Sequence, residues 1–527
     1  MKKICFIITL LLGAVLNNYA QDASFYEKYA KKGDKEAMYN LALCYLNGST
    51  NLSQDYNTAI VWLSKAAKKK YAPAQHKLGL CYLYGIGVLT DYEQGYKLCS
   101  KAAEKQYPPA VYTMSNLYRD GMYVSKSLLL EMSYLNRAAD LGDSDALCDL
   151  GSFYLYGNEE HEIQKDESKA YELTKKAADQ NHPAALANLG VCYKFGVGTP
   201  KNETESLNAF MKAANAGNDI AQVEIGNAYL YGNGVEQSFT EAQKYIDAAA
   251  NQKNASALNI KGNFYYYGWG VTQDYQTAAE WYKKAVEEGN PDAYAQLAYM
   301  YLAGQGVIEN HTEGLRLYKK LADADYEDGL AGMGMCYEYG YGVTENIASA
   351  IEYYKKAGKQ GNGYSLQQLY QIYRRGKGSV QVDTQLALQY LRQGAEINHG
   401  PSLYSLGYEY LIGEIMHQED SQALEYFNKA VEQNYPFAYA VLGTCYYDGE
   451  PLVEKDYNKA FQLLSKAAED PGSINEELMG EVYKKLGACY RFGRGTEVNQ
   501  SMASFYTEQA AKYGDQQALD VVKKLRK

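Results

Sequence analysis

The chain has 527 residues, among them 55 Tyr against 12 Phe and 3 Trp, and 47 Gly against 10 Pro. Lys and Arg number 52 and Asp and Glu 63, a net charge of −11, which argues against a nucleic-acid or anionic-membrane surface because no basic excess is left to neutralise phosphate. A charged fraction of 22%, an apolar fraction of 46% and a mean hydropathy of −0.46 argue against a disordered or multiply membrane-spanning chain.

Residues 1–20 come first. Lys2 and Lys3 precede an apolar run from Ile4 to Leu16, which gives way to Asn17, Asn18, Tyr19 and Ala20. This is the pattern of a secretory signal peptide, with cleavage expected after Ala20. The run is shorter than the roughly twenty residues that a spanning helix needs, and Cys5 lies inside it instead of at its end, which argues against an acylated mature terminus. The mature chain is expected to be exported, to the periplasm or beyond in a bacterial cell, without direct membrane insertion.

Residues 21–514 carry a repeat. A two-residue step, usually Leu-Gly, begins at Leu41, Leu78, Met114, Leu150, Leu189, Ile225, Lys261, Leu297, Met333, Leu369, Leu406, Leu442 and Leu486. Counting from this marker as position 0, position +4 is a tyrosine in all thirteen repeats, from Tyr45 to Tyr490, and position +7 is a glycine, from Gly48 to Gly493. Position −4 is Ala in nine repeats, with Gly329, Ser365, Ser402 and Val482 in the others.

At 100° per residue, positions −4, 0, +1 and +4 fall within one side of a helix, the expected core stripe of a first helix in each repeat. The glycine at +7 ends that helix. A second helix follows, with a small residue such as Ala242, Ala278, Ala350 or Ala423 and, three residues on, a bulky one such as Trp62, Tyr245, Trp281, Tyr353, Tyr390, Tyr426 or Tyr506. A single hairpin cannot bury two apolar stripes, so the repeats are expected to stack into an all-α solenoid with one continuous core. Lys261 at the marker and Tyr370 at +1 depart from the pattern, as does the spacing of 44 between the last two markers, where Pro471 and Gly472 interrupt. Residues 515–527 read as a short polar capping helix.

Chemistry is sparse on this frame. None of the six histidines lies three or four residues from another, which argues against a zinc site on one helical face. His161-Glu162 lacks the second histidine of a metalloprotease motif, and the glycines of Gly376-Lys377-Gly378-Ser379 are the turn residues of repeat 10. No cofactor and no metal are expected. Cys44, Cys81, Cys192, Cys336, Cys445 and Cys489 all occupy +3, one repeat apart or more, too far for a disulfide reach of about 7 Å between Cα atoms. Buried free thiols are therefore expected, with the state of Cys81 and Cys99 left open.

The pattern A-x-x-x-L-G-x-x-Y-x-x-G-x-G-V, followed by small, bulky and K-A-A positions, closely resembles the Sel-one-like repeat family, relatives of the tetratricopeptide repeats. The resemblance covers about residues 24 to 514 and implies a right-handed α-solenoid of helix-turn-helix repeats, and a non-enzymatic scaffold that gathers a protein or peptide partner. An envelope hydrolase or a protein binding penicillin-type cell-wall ligands is the alternative that the family carries. In such repeats the face opposite the core stripe, at −2, +2 and +5, usually lines the binding groove. The candidates there are Tyr39, His76, Tyr112 and Tyr404 at −2, Asn116, Asn227, Asn263, Tyr299 and Tyr408 at +2, and Arg119, Tyr266 and Arg374 at +5. Leucines at +5 in six other repeats imply that this position is partly buried.

The N-terminal reading is checked by cell fractionation. The chain is expected outside the cytoplasm without residues 1–20; a cytosolic chain that still begins at Met1 overturns export.

Overall fold

Each repeat closes through its tyrosine and the polar residue that starts its second helix. The carbonyl of the +4 tyrosine accepts the backbone N–H of that starting residue at 2.8–3.2 Å in all thirteen repeats. The starting residue is Asp, Asn or Ser in twelve of them, and its side chain caps the helix, as where Asp274 accepts from the N–H of Thr277 at 3.1 Å. The turn between needs left-handed backbone, supplied in repeat 6 by Gly232 at φ 73° and Gly234 at φ 75°.

In the computed structural model, which describes residues 23–48, 52–449 and 452–525, these rules generate twenty-eight α-helices, most of them thirteen residues long. No β-strand is present among the described residues, and one isolated antiparallel bridge pairs Asn158 with Ile163. The fold is the all-α helix-turn-helix repeat architecture anticipated from the sequence. The expected signal peptide, residues 1–20, lies outside the described residues. The chain divides into two compact units, one ending at Lys261 and one beginning at Gly262, with the boundary inside the helix Ala255–Tyr267. Within each unit, a second helix packs against the first helix of its own repeat and against the first helix of the next.

The core stripe is built as the spacing predicts at −4 and 0. Ala74, Ala110, Ala146, Ala185 and Ala221 in the first unit, and Ala293, Ser365, Ser402 and Ala438 in the second, are fully buried, as are the markers Leu41, Met114, Ile225, Leu369, Leu406 and Leu486. Position +1 sets the helix separation. A Cβ built on Gly226 lies 2.5 Å from Ile246 Cδ1, the same clash recurs between Gly262 and Tyr282 and between Gly334 and Tyr354, and Phe427 presses on Gly407 at 3.0 Å. The bulky residue twenty positions on fills the space that the missing side chain leaves.

The +4 tyrosine differs from the helix-wheel expectation: it is half-buried in every repeat. In repeats 3, 6, 9, 10, 11 and 13 its ring lies nearly parallel on the bulky residue of the second helix, as in Tyr229–Tyr245 (6.0 Å between centroids, 9° between planes), Tyr410–Tyr426 (5.7 Å, 7°) and Tyr490–Tyr506 (5.7 Å, 6°). Such pairs contribute about 0.5–1.5 kcal/mol beyond the area they bury. A ring at the mouth of the hairpin can keep its hydroxyl in water, which is why the position is Tyr and never Phe.

The irregular positions repack locally. Lys261 turns its ammonium to Asp247 at 2.6 Å. Tyr370 is buried and donates to Glu409 at 2.6 Å. The long last interval becomes the 3-10 turn Pro471–Ser473 and an extended first helix, Glu476–Phe492, in which Met479, Val482 and Leu486 are fully buried. The helix Gln516–Leu525 follows, capped by Asp515, whose carboxylate also receives Lys484 at 3.0 Å. All eight cysteines among the described residues, Cys81 and Cys99 included, are buried free thiols.

Gly226→Leu forces a side chain into the space occupied by Ile246, so it is expected to lower stability by about 1–3 kcal/mol. Thermal and urea unfolding check this, with an exposed Ile220→Ser change as control; equal losses for both overturn the close approach.

Candidate ligand-binding groove

The three rows expected to face a ligand are used in different ways. Side chains at −2 largely join one first helix to the next. His76 is buried and its Nε2 lies 2.8 Å from Thr113 Oγ1 in the following repeat. Thr113 donates its own hydrogen to the Pro109 carbonyl at 2.9 Å, so the imidazole is the donor, neutral and protonated on Nε2. Burial, aided by the neighbouring Lys77, pushes the His76 pKa down to about 3. Tyr112 donates to Asp149 Oδ2 at 2.8 Å in the next repeat, and burial, then Asp149, pushes its hydroxyl pKa far up. Tyr39 is half-buried with its ring edge-on to Tyr71, and Tyr404 packs among Tyr408, Phe427, Tyr435 and Phe437.

Position +5 does the same work further along the helix. Tyr266 donates to Gln305 at 3.0 Å, and Arg374 Nε donates to Glu409 at 3.0 Å while its Nη2 reaches Glu414. Arg119 is exposed, with Nη1 3.9 Å from Asp149 and Nε 3.6 Å from Asp120. The +5 leucines Leu46, Leu83, Leu155, Leu230 and Leu302 are buried, as the composition of that row implied.

Position +2 remains partly open. Tyr299 and Tyr408 are exposed; Asn116, Asn227 and Asn263 are half-buried, Asn263 accepting from Tyr282 at 2.7 Å and the Asn116 amide oxygen lying buried with no hydrogen-bond partner. Beside this row runs a second one that helix-wheel reasoning overlooked. Position +6, the last residue before the turn, holds the exposed Tyr156, Phe195 and Tyr231 in the first unit and Tyr267, Tyr339, Ile412 and Phe492 in the second. Its wheel angle, about 240°, lies next to the 200° of +2, and the recurrence of aromatic residues at an outward angle was the available signal.

In the second unit these rows form a groove across repeats 9, 10 and 11. One cleft of about 440 Å³ lies between the first helices Glu327–Tyr339 and Gly363–Arg375, walled by Tyr339, Gln371, Arg375 and Lys377. The next, about 370 Å³, lies between Gly363–Arg375 and Gly400–Ile412, walled by Arg374, Arg375, Tyr404, Tyr408, Ile412 and Glu414. Gln371 and Arg375, at +2 and +6 of the middle helix, belong to both. Three of the sequence candidates, Arg374, Tyr404 and Tyr408, thus meet in one cleft.

Two buried carboxylates support the groove from below. Glu338 accepts from Tyr354 at 2.6 Å and from Lys377 at 2.9 Å. Glu409 Oε1 accepts from Tyr370 and Arg374, whereas its Oε2 is buried without a partner. Burial, then hydrogen bonding to Glu409, raises the Tyr370 pKa, and burial pushes Tyr404 up to about 12. Both phenols are therefore neutral donors at pH 7. Among the described residues no group of three or more His, Cys, Asp or Glu is placed to hold a metal ion, and no helix is long and apolar enough to cross a membrane.

The family model described as Sel1 repeat matches this chain thirteen times between residues 35 and 515, beginning with 35–71, 72–107 and 108–143. Among curated proteins, the chitin synthase regulator SKT5 of Saccharomyces cerevisiae is 28% identical over 191 residues, 34% of this chain and 27% of that protein. An uncharacterised protein of Neisseria meningitidis serogroup B is 29% identical over 147 residues, 28% of each. The chain thus spans little more than a quarter of the length of these relatives. Among solved structures, the protective antigen c5321 of uropathogenic Escherichia coli, which displays an SLR fold, is 26% identical and aligns over 96% of this chain and 97% of its own, with a TM-score of 0.43.

The His76 geometry has a pH consequence. Its folded pKa of about 3 lies below the ordinary value near 6.5, so the stability it contributes is complete above pH 6.5 and is lost as pH falls from there towards 3. Between pH 7 and 5 the loss is about 2 kcal/mol. Urea unfolding at both pH values is expected to show that loss in the wild type and to lack this part of it in His76→Gln; parallel pH dependence in the two proteins overturns the buried neutral imidazole.

Proposed function

The chain belongs to the Sel1 repeat family, whose members are scaffolds that bind protein partners, and on that premise we propose that it is an exported scaffold holding a protein or peptide partner along the +2 and +6 rows of its first helices. The observation that carries this reading is the groove across repeats 9–11, where two clefts of ligand size share Gln371 and Arg375 and are walled by exposed Tyr339 and Tyr408. Pockets of about 300–1,000 Å³ are usual for bound groups of this size. Tyrosine and arginine are what recognition surfaces favour, because a phenol ring offers a large amphipathic face with few rotors and a guanidinium donates in a fork. First helices pack about 8–10 Å apart, so an extended segment advancing about 3.3 Å per residue crosses one repeat every three residues. Modest contacts repeated in register then add up along the segment.

Export rests on residues 1–20, and the acidic charge of the chain favours a protein partner over a nucleic acid. No catalytic step is assigned to the groove.

Affinity capture from the native envelope fraction, using the mature chain and a Tyr339→Ala/Tyr408→Ala variant, tests the reading. Both rings are exposed, so the variant is expected to melt like the wild type while losing the partners that the wild type retains. An identical set of partners at identical yield moves the binding surface away from this groove.

A further inference from the structure

Three cations line the two clefts, and two of them are satisfied within the fold. Arg374 is held by Glu409 and Glu414, and Lys377 by Glu338. Arg375, exposed at the end of the helix Gly363–Arg375 and shared by both clefts, has no ion-pair or hydrogen-bond partner among the described residues. The opposite imbalance lies across the same cleft. Glu409 and Glu414 together bring two carboxylates to the single guanidinium of Arg374. Glu409 Oε2 is buried without a partner, and Glu414 is largely exposed. The cleft therefore has a surplus positive charge on its repeat 10 wall and a surplus negative charge on its repeat 11 wall, the latter also carrying Tyr404, Tyr408 and Ile412.

From this arrangement we infer that the groove takes an extended peptide segment carrying one acidic and one basic side chain, the acid on Arg375 and the base on the Glu409–Glu414 side. The inference rests on the groove proposed above and names its ligand chemistry. A polyanion fits Arg375 and is repelled by the two glutamates; a polycation meets the reverse. A ligand with both charges satisfies each wall, and its intervening side chains cover the tyrosine faces. The walls belong to neighbouring repeats, about 8–10 Å apart, so the two charges sit two to four residues from each other on an extended chain at about 3.3 Å per residue. The guanidinium fork of Arg375 pairs bidentately with a carboxylate, and Tyr408 supplies a ring face against which a basic side chain packs.

Selection of random twelve-residue peptides displayed on phage, against the immobilised full-length mature chain, tests this directly. Selected peptides are expected to share an acidic and a basic residue two to four positions apart. As labelled synthetic peptides in fluorescence anisotropy, they are expected to bind about tenfold more weakly to Arg375→Gln and to Glu414→Gln, the loss typical of a charge-assisted hydrogen bond. A peptide with Lys in place of its acid is expected to bind Arg375→Glu better than the wild type. Selected peptides without the paired charges overturn the inference, as does binding indifferent to Arg375→Gln. If such peptides still fail on Tyr339→Ala/Tyr408→Ala, the groove stands and only its ligand chemistry falls; if they bind that variant fully, both fall. A free Glu-Lys dipeptide that binds as tightly as the twelve-residue peptides also overturns it, in favour of a small zwitterion.

Discussion

In most repeats a side chain of the second helix must pass beneath a first-helix residue that has almost none, and the rest of the architecture depends on that fit. Gly226 receives Ile246, Gly262 receives Tyr282, Gly334 receives Tyr354 and Gly407 receives Phe427. Because interiors are packed at crystal density, neither partner can change volume alone. Where the first helix carries Ala298 instead, Tyr318 is accommodated against Gly332 of the next repeat, so the missing volume has moved one helix along. The fixed separation also brings polar side chains within reach of the following repeat. Ser and Thr at these joints, as in the Gln367–Ser405 bond at 2.9 Å and the Asn188–Ser152 bond at 2.9 Å, need that closeness to pair at all.

Tyrosine answers a second requirement of the same geometry. The +4 residue closes its hairpin with a backbone carbonyl, stacks on the second helix and stands at the edge of the fold, so it must be apolar on its faces and polar at its tip. Thirteen such positions, with their stacking partners, account for much of the excess of Tyr over Phe. In repeats 7 and 9 the buried Tyr282 and Tyr354 extend the device: each ring fills the core and its hydroxyl donates to a polar side chain of its own first helix, Asn263 and Glu338 respectively.

The repeat, the hairpin, the −4 and 0 core positions and the free thiols were legible from spacing alone, because each depends on one helix and its turn. The site was legible only in part. A helix wheel assigns an angle and is blind to the neighbouring repeat, so it set His76 and Tyr112 on an open face where Thr113 and Asp149 of the next first helix meet them. The same blindness hid the joint between +5 and +8, seen in Tyr266–Gln305, Lys377–Glu338 and Arg494–Tyr447, since its two halves lie about forty residues apart in sequence. Position +6 is hidden for a different reason: it stands at the edge of the exposed face, one turn nearer the glycine than +2, beyond the middle that −2, +2 and +5 mark.

Departures from the repeat explain where the groove forms. Six repeats place Cys at +3, a small residue content to be buried; repeat 11 places Glu409 there, and a buried carboxylate is costly unless it is hydrogen-bonded. Its partners come from repeat 10. Tyr370, standing at the otherwise small +1 position, donates its hydroxyl, and Arg374 turns inward to supply Nε. Two adjacent arginines at the end of one helix then acquire different fates, because successive residues point about 100° apart: Arg374 is drawn down to the carboxylates and Arg375 is left outward and unpaired. One substitution at a core position thus recruits a tyrosine, orients an arginine and exposes the next. A consensus repeat joins its polar groups to its neighbours, and the chemistry available to a ligand collects where a repeat deviates from that rule.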